Sequence, residues 1–428
     1  MKRNIAVLGA GPMGLAVAYQ LVRDGYQPVI YEADDRVGGM SAMFDFDGLS
    51  IERFYHFHCT SDIDFMNLLE ELGINKKLHW VETKMGFWYQ DRLQNWGNPV
   101  ALLKFRGLSL LAKIRYGVHA FFSVKRNQWE DLDGKNALEW VKSWVGSEAY
   151  VVLWQKLFDY KFYHFSDNLS AAWIWSRIRR VGRSRYNIFK EKLGYLEGGS
   201  ATLMESMRAY IESRGARIHL SKNVEEIVLD GNKLHGVLVN GKLVMYDTVI
   251  STIPLPYIPR LIPSFPEDVL NKYRVLDNIA VVCVIVKLSK PLSSYFWLNI
   301  NSDDMDIPGL VEYSNLNPIS NHIVYVPFYM PQDCKKYQDS DDVFKEKVKK
   351  YLKDINSRLI ESDFTSIYVN RYKYAQPICP PNFLKALPPY KTKVENLWIA
   401  DTSYYYPEDR GISESIKFGR NMAMEATK

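Results

Sequence analysis

Residues 5–40 read IAVLGAGPMGLAVAYQLVRDGYQPVIYEADDRVGGM, and the order of apolar runs, glycines and acids in this stretch decides the fold. Ile5 to Leu8 is a short apolar run suited to a strand buried on both faces. Gly9 to Gly14 turns the chain, Leu15 to Arg23 carries helical spacing, and Asp24-Gly25 stops it. Pro28 to Glu32 is the next strand. Strand, glycine turn, helix and strand within about 30 residues make the compact unit that cradles a dinucleotide. Gly9 permits the tight turn, Gly11 lets the main chain approach a pyrophosphate, and Gly14 lets helix and strand pack closely. The pyrophosphate then lies against Pro12 and Met13, at the positive end of the helix. Glu32, with Ala33 beside it, ends the second strand, where a carboxylate accepts hydrogen bonds from a ribose 2′-hydroxyl.

The continuation separates the two common dinucleotides. After the ribose acid comes Arg36-Val37-Gly38-Gly39-Met40-Ser41. The glycine pair opens a second close backbone approach, and Arg36 can reach phosphate. A nicotinamide site has no need of either, so the cofactor read here is FAD.

These residues also carry a resemblance. The run GAGPMGLAVAYQL…YEADDRVGGM resembles the superfamily of flavin-containing amine oxidases, protoporphyrinogen oxidases and phytoene desaturases, to which UDP-galactopyranose mutase is related. The resemblance implies an α/β fold, with a Rossmann-like FAD/NAD(P)-binding domain and an inserted mixed α+β substrate domain. It extends to Asn223-Val224-Glu225-Glu226-Ile227, similar to a strand whose main chain holds adenine at Val224. It extends again to Asn396-Leu397-Trp398-Ile399-Ala400-Asp401, similar to a late strand whose acid contacts the flavin ribityl chain. Many relatives have Gly-Asp where this chain has Ala-Asp; the acid is still in place. Thr252 and the segment Gly411-Ile412-Ser413, at the start of a last helix with Ser413 as a cap-type residue, complete the expected cofactor set. Residues 1–85, 190–260 and 390–428 are thus expected to build a discontinuous FAD domain. Residues 86–189 and 261–389 are expected to build the substrate domain.

Elsewhere the pattern is coarser. Asp62 to Leu72 and Ala201 to Arg214 read as amphipathic helices, Trp88 to Trp96 as a hairpin, and Asn98 to about Arg185 as mostly helical. Gly194 to Ser200 reads as a loop. Arg217 to His219 groups with Val224 to Asp230, Lys233 to Asn240 and Lys242 to Tyr246 in a small β-meander. Ile279 to Leu288 is a central strand, with Val311 to Tyr313 and His322 to Met330 as its partners. Leu102 to Phe122 is apolar with Lys104, Arg106, Lys113 and Arg115 interleaved. It reads first as a core helix pair and second as an interfacial surface for a lipid-linked substrate.

Composition narrows the function classes. A net charge of +5 without a recognisable module gives no support to nucleic-acid binding. Cys59, Cys283, Cys334 and Cys379 lie far apart with no CxxC pair, so reduced thiols are expected. Met1 to Asn4 run straight into the first strand, and no long uncharged apolar stretch follows. The expectation is a cytoplasmic protein without a leader or spanning helix. Aromatic residues reach 14%, which suits a pocket lined by flat side chains.

For the substrate side, His56 and His58 stand in Glu52-Arg53-Phe54-Tyr55-His56-Phe57-His58. Two histidines without a third nearby ligand do not make a metal site, and none is expected. The segment resembles the histidine loop of UDP-galactopyranose mutase, which places His56 near the flavin. His56, Tyr313 and Arg410 are the candidate catalytic residues. The basic run Arg177, Arg179, Arg180, Arg183 and Arg185 reads either as a solvated helix face or as an anion site for a diphosphate-linked substrate. The expected activity is FAD-dependent oxidation, with hydride passing from a small-molecule substrate to flavin N5. The alternative is a non-redox flavoenzyme resembling UDP-galactopyranose mutase and acting on a nucleotide sugar. A nucleotide sugar and a lipid-linked molecule are the partner classes in view, with peripheral membrane contact as a further alternative. Oligomeric state is not legible.

Overall fold

The computed structural model describes residues 3–428. Met1 and Lys2, which belong to the leaderless reading of the N-terminus, lie outside the described residues. The opening unit forms as its glycines dictate. Strand Ile5–Leu8 is wholly buried. Helix Pro12–Arg23 starts from Gly11 with Pro12 in its first turn, where a missing N–H costs no hydrogen bond. Strand Val29–Tyr31 returns beside the first.

Five parallel strands make the first sheet, in the order Arg217–His219, Val29–Tyr31, Ile5–Leu8, Thr248–Ser251, Leu397–Ile399. All fall in the three separated segments read as nucleotide-binding. Parallel strands covered on both faces must be apolar throughout, which explains the short unbroken runs. Arg217–His219 is therefore an edge strand of this sheet, not part of the meander. The meander has only Val224–Asp230, Lys233–Val239 and Lys242–Met245. Three residues carry too little periodicity to show which sheet they join.

The second sheet has seven strands, in the order Phe364–Pro377, Asn278–Leu288, His322–Pro331, Gly309–Glu312, Trp297–Asn301, Met85–Tyr89, Arg92–Trp96. Asn278–Leu288 alternates in the way a strand between two layers must. Val282, Val284 and Val286 pack with Phe344, Val348 and Leu352 of helix Asp341–Ile355. Val281, Cys283 and Ile285 turn to the opposite side. Its partners are His322–Pro331 and Phe364–Pro377; Val311 pairs one strand further on, with Tyr325. The expected partnership with Val311 is corrected accordingly. Phe364–Pro377 carries no clear strand pattern in the sequence because an edge strand can stay half-exposed and polar. Gly194 also lies within a strand, Lys190–Leu196, not a loop. A side chain there would meet the Trp80 ring at 3.0 Å.

Helices Leu110–Lys125, Ala137–Tyr150 and Ala171–Arg183 pack together around buried Trp173 and Trp175, whose indole N–H donates to Ser123 O at 2.8 Å. The core reading of residues 102–122 fails on one face. Leu103, Leu110, Leu111, Ile114, Val118, Phe121 and Phe122 are exposed, while Ala112, His119 and Ser123 are buried. Small and polar side chains face the protein because they permit close helix packing; large apolar ones face out.

The final helix, Ile412–Ala426, lies against Pro12–Arg23. A Cβ on Gly419 would sit 2.6 Å from Met13 O, so the two backbones touch. Gly419→Val is expected to lower stability by about 1–3 kcal/mol through overpacking, measured as a lower thermal midpoint by far-UV circular dichroism. An unchanged midpoint would mean that the helices separate at no cost.

Candidate functional site

A cavity of about 1660 Å³ runs from the glycine loop between the two sheets into the helical region. Its first end is built by backbone. Gly9 has φ +94°, and a side chain on it would meet Thr252 Oγ1 at 2.8 Å. Thr252 in turn donates to Leu8 O at 2.8 Å. A Cβ on Gly14 would sit 1.9 Å from Gly9 O, so Gly14 shapes the loop from behind and does not line the cavity. Gly11 is different. A Cβ there would meet no atom within 4 Å, and Gly11 borders the cavity together with Pro12 and Met13. The open space before Gly11 fits a pyrophosphate at the start of the helix.

Glu32 is held by two main-chain donors. Ala10 N–H donates to Oε2 at 2.6 Å and Asp34 N–H to Oε1 at 2.9 Å. Its remaining lone pairs are left for a ribose hydroxyl. Ala33, Gly39, Met40, Ser41, Val224, Asp401, Gly411 and Ile412 also line the cavity. Gly38 does not; its N–H donates to Ala10 O at 2.8 Å, which pins the second glycine turn to the first. Arg36 also lies off the lining, its guanidinium bonded to Asp35 and to Met43 O. Ser413 is not the helix cap. Gly411 takes that position, and Ser413 Oγ accepts from Phe65 N–H at 3.3 Å, tying the last helix to Ile63–Glu71. Asp401 is buried and accepts from Leu255 N–H and Ser403 N–H, both at 2.8 Å. Burial pushes its carboxyl upward against those hydrogen bonds.

Of the candidate catalytic residues, His56 and Arg410 meet at this cavity. Tyr313 lies on a separate space of about 300 Å³, with Met43, Tyr195 and Gly199. Glu52, which the sequence did not single out, borders that small space and reaches His56. Glu52 Oε2 lies 3.1 Å from His56 Nδ1, and Oε1 accepts from Ser200 N–H at 2.8 Å and from Ser200 Oγ. Burial works to raise the Glu52 carboxyl, but His56 and Ser200 outweigh it and hold it below its ordinary value. An ionised Glu52 fixes hydrogen on His56 Nδ1, leaving Nε2, 3.3 Å from Ser41 Oγ, as the acceptor. His58 plays another part. Its ring stacks on Phe65 at 3.7 Å, and burial pushes it down to about 4, so it is neutral.

Lys161 was also illegible. It lies in the cavity wall with its ammonium 5.2 Å from the centre of the Tyr329 ring. Burial, and then Arg177, push it down to about 7. Three of the five arginines read as an anion site pair with acids: Arg177 with Asp409 at 2.8 Å, Arg180 with Asp62 at 2.9 Å, Arg179 with Glu408 at 3.5 Å; Arg185 lines the cavity. Arg183 donates to Asn127. Arg410 donates to Ala375 O. Glu414 is half-buried, with Oε2 enclosed and unpartnered among the described residues, and burial pushes it up to about 7. Among the described residues, no group of three or more His, Cys, Asp or Glu is placed to hold a metal ion.

The model of a family described as flavin containing amine oxidoreductase matches residues 14–408. A 15-cis-phytoene desaturase of Glycine max is 27% identical over 307 residues, which cover 66% of this chain and 52% of that protein. The chain spans about half the length of the curated relatives it matches. Among solved structures, a triple mutant of putrescine oxidase redesigned in its cofactor binding gives a TM-score of 0.75 at 15% identity, covering 99% of this chain and 98% of that one. Reduced UDP-galactopyranose mutase gives 0.73 at 17% identity, covering 99% and 95%. At these identities the likeness is one of fold, and it bears out the expected α/β architecture.

Gly11→Leu is expected to leave the fold intact, since the first added atom meets no protein neighbour. The purified variant should be colourless, with a far-UV spectrum like the parent's and no bound FAD. Full flavin content would count against a pyrophosphate in front of Gly11.

Proposed function

The chain belongs to the flavin-containing amine oxidoreductase family, whose cofactor is FAD, and from that premise we propose an oxidoreductase that removes hydride from a carbon of a largely apolar small molecule. The observation that carries this reading is the continuity of the cavity. One space starts at Gly9, Gly11 and Glu32 and passes Asp401 and Gly411. It continues into a chamber walled by Phe57, Trp154, Leu157, Ile174, Phe296 and Trp297.

Gly9, Gly11, Pro12 and Met13 would hold the pyrophosphate, and Glu32 with Ala33 the adenosine ribose. Val224 would border the adenine, and Asp401 the ribityl chain. Bound there, FAD supplies a two-electron acceptor. The chain supplies position, dryness and protons. Aromatic and aliphatic walls exclude water from the reacting carbon. The first amides of helix Ile412–Ala426 present a positive end to negative charge developing near them. His56, oriented by Glu52, offers Nε2 as a proton acceptor. Lys161, shifted towards neutrality at physiological pH, offers a second.

The nucleotide-sugar reading uses the same His56, but a diphosphate needs unspent cations. Arg177, Arg179 and Arg180 are engaged with Asp409, Glu408 and Asp62. Among the described residues, Arg185 and Arg410 line the cavity without an acidic partner, so what favours oxidation is the aromatic and aliphatic wall of the chamber.

Anaerobic holoprotein is expected to bleach when mixed with a polyene, an apolar amine or a porphyrinogen. His56→Ala and Glu52→Gln should each slow bleaching by about 100-fold without loss of bound flavin. Isomerisation of UDP-galactose by dithionite-reduced protein alone, with no bleaching by any candidate, would overturn the oxidoreductase reading. The pH dependence has a defined sign. A lysine must lose its proton to accept one, so the bleaching rate should rise as pH increases through about 7. That limb should vanish in Lys161→Met and persist in Glu414→Gln; its persistence in Lys161→Met would remove Lys161 from proton transfer.

A further inference from the structure

The exposed face of helix Leu110–Lys125 has no cover among the described residues, and its chemistry is unlike the rest of the surface. Leu110, Ile114, Val118 and Phe121 follow one helical stripe, with Leu111 and Phe122 beside it. Leu103 and Val100 extend the patch on the preceding helix, and Tyr186, Ile188 and Phe189 extend it at the tip of a neighbouring hairpin. Leu111 is 67% exposed and Ile188 64%. Side chains of this size are normally scattered singly on a water-facing surface, not gathered on one side.

Charge decides what kind of partner this face suits. Residues 92–129 contain seven Lys and Arg and no Asp or Glu. Arg126 pairs with Asp131. Lys113 donates to Leu103 O, and Arg115 to Ser143 O and Trp144 O, all neutral acceptors. Lys125 leans over the Phe121 ring at 6.0 Å. Glu148 is bound to Ser109 at the start of the helix. Apolar side chains fringed by unneutralised cations match the interior and headgroups of an anionic bilayer surface.

The cavity opens here. Phe121, Lys125 and Ile188 belong both to the exposed patch and to the cavity lining. Leu102, Tyr116 and Val124 line the passage behind them. Among the described residues no helix is long and apolar enough to cross a membrane, so the contact is with one leaflet.

We propose that this face, helix Leu110–Lys125 with the Tyr186–Phe189 tip, docks the protein on an anionic lipid bilayer and sets the mouth of the cavity against the acyl phase. This holds whatever reaction the cavity hosts, since docking needs only the surface. The holoprotein sediments with vesicles of phosphatidylcholine containing about 30% phosphatidylglycerol. Binding to pure phosphatidylcholine is weaker by about tenfold and falls further as salt is raised. Leu111→Ser/Ile114→Ser/Phe122→Ser, none of them in the cavity lining, keeps its flavin and thermal midpoint but loses vesicle binding by at least about tenfold. Three results would overturn the proposal. The parent chain fails to bind anionic vesicles, the triple variant binds as well as the parent, or light scattering finds a dimer that the triple variant abolishes.

Discussion

The carbonyl oxygen of Gly9 leaves no space for a side chain at Gly14. That contact brings helix Pro12–Arg23 directly behind the strand that precedes it, with its first amides at the open space before Gly11. The rest follows from this placement. Gly39 comes within 3.3 Å of Gly11 when a Cβ is added, so the second glycine turn abuts the first and closes one side of the cavity. Glu32, one strand over, is aimed at the same space by Ala10 and Asp34. The last helix can lie along the first only because Gly419 meets Met13 without a side chain between them. A single larger residue in this stack would move the helix that carries the positive end of the site.

Further into the cavity, charge is arranged with equal economy. Asp62 is buried yet held by Arg180 and by Cys59 N–H, and Asp409 by Arg177, Gln376 and Arg410 N–H. Removing one partner of such a pair would leave a buried charge exposed to a low dielectric, which costs several kcal/mol. The pairs therefore stiffen the wall between the helical region and the last helix without presenting free charge to a ligand. What stays available on the cavity side is His56, held from behind by Glu52, Lys161, and the guanidinium groups of Arg185 and Arg410.

The legibility of these parts follows their locality. The glycine loop, Glu32 and the second glycine pair lie within one short stretch, and local spacing is what a sequence displays. Val224 and Asp401 were legible through resemblance, and both line the cavity. At Arg36 and Ser413 a residue type suited to phosphate or capping says nothing of a nearer partner, and the structure gives them Asp35 and Phe65 N–H. Glu52 stands four residues before His56, but across a strand end that spacing fixes no shared face. Lys161 had no signal, since its environment comes from Arg177, Tyr329 and Asp409, far away in the chain. Leu110 to Phe122 shows the opposite failure. Apolar content was visible, but whether protein or something else would cover it depended on Ala112, His119 and Ser123 facing inward.

The parallel sheet has a consequence in time as well as in space. Ile5–Leu8 pairs with Thr248–Ser251, and that strand pairs with Leu397–Ile399. During synthesis the first strand therefore emerges with one apolar edge unpaired and must wait for more than half the chain to be made. Contacts of such sequence separation close slowly, and unpaired strand edges invite association with other chains. The early helix can cover only a face of the sheet, so that edge stays open until the distant strand arrives.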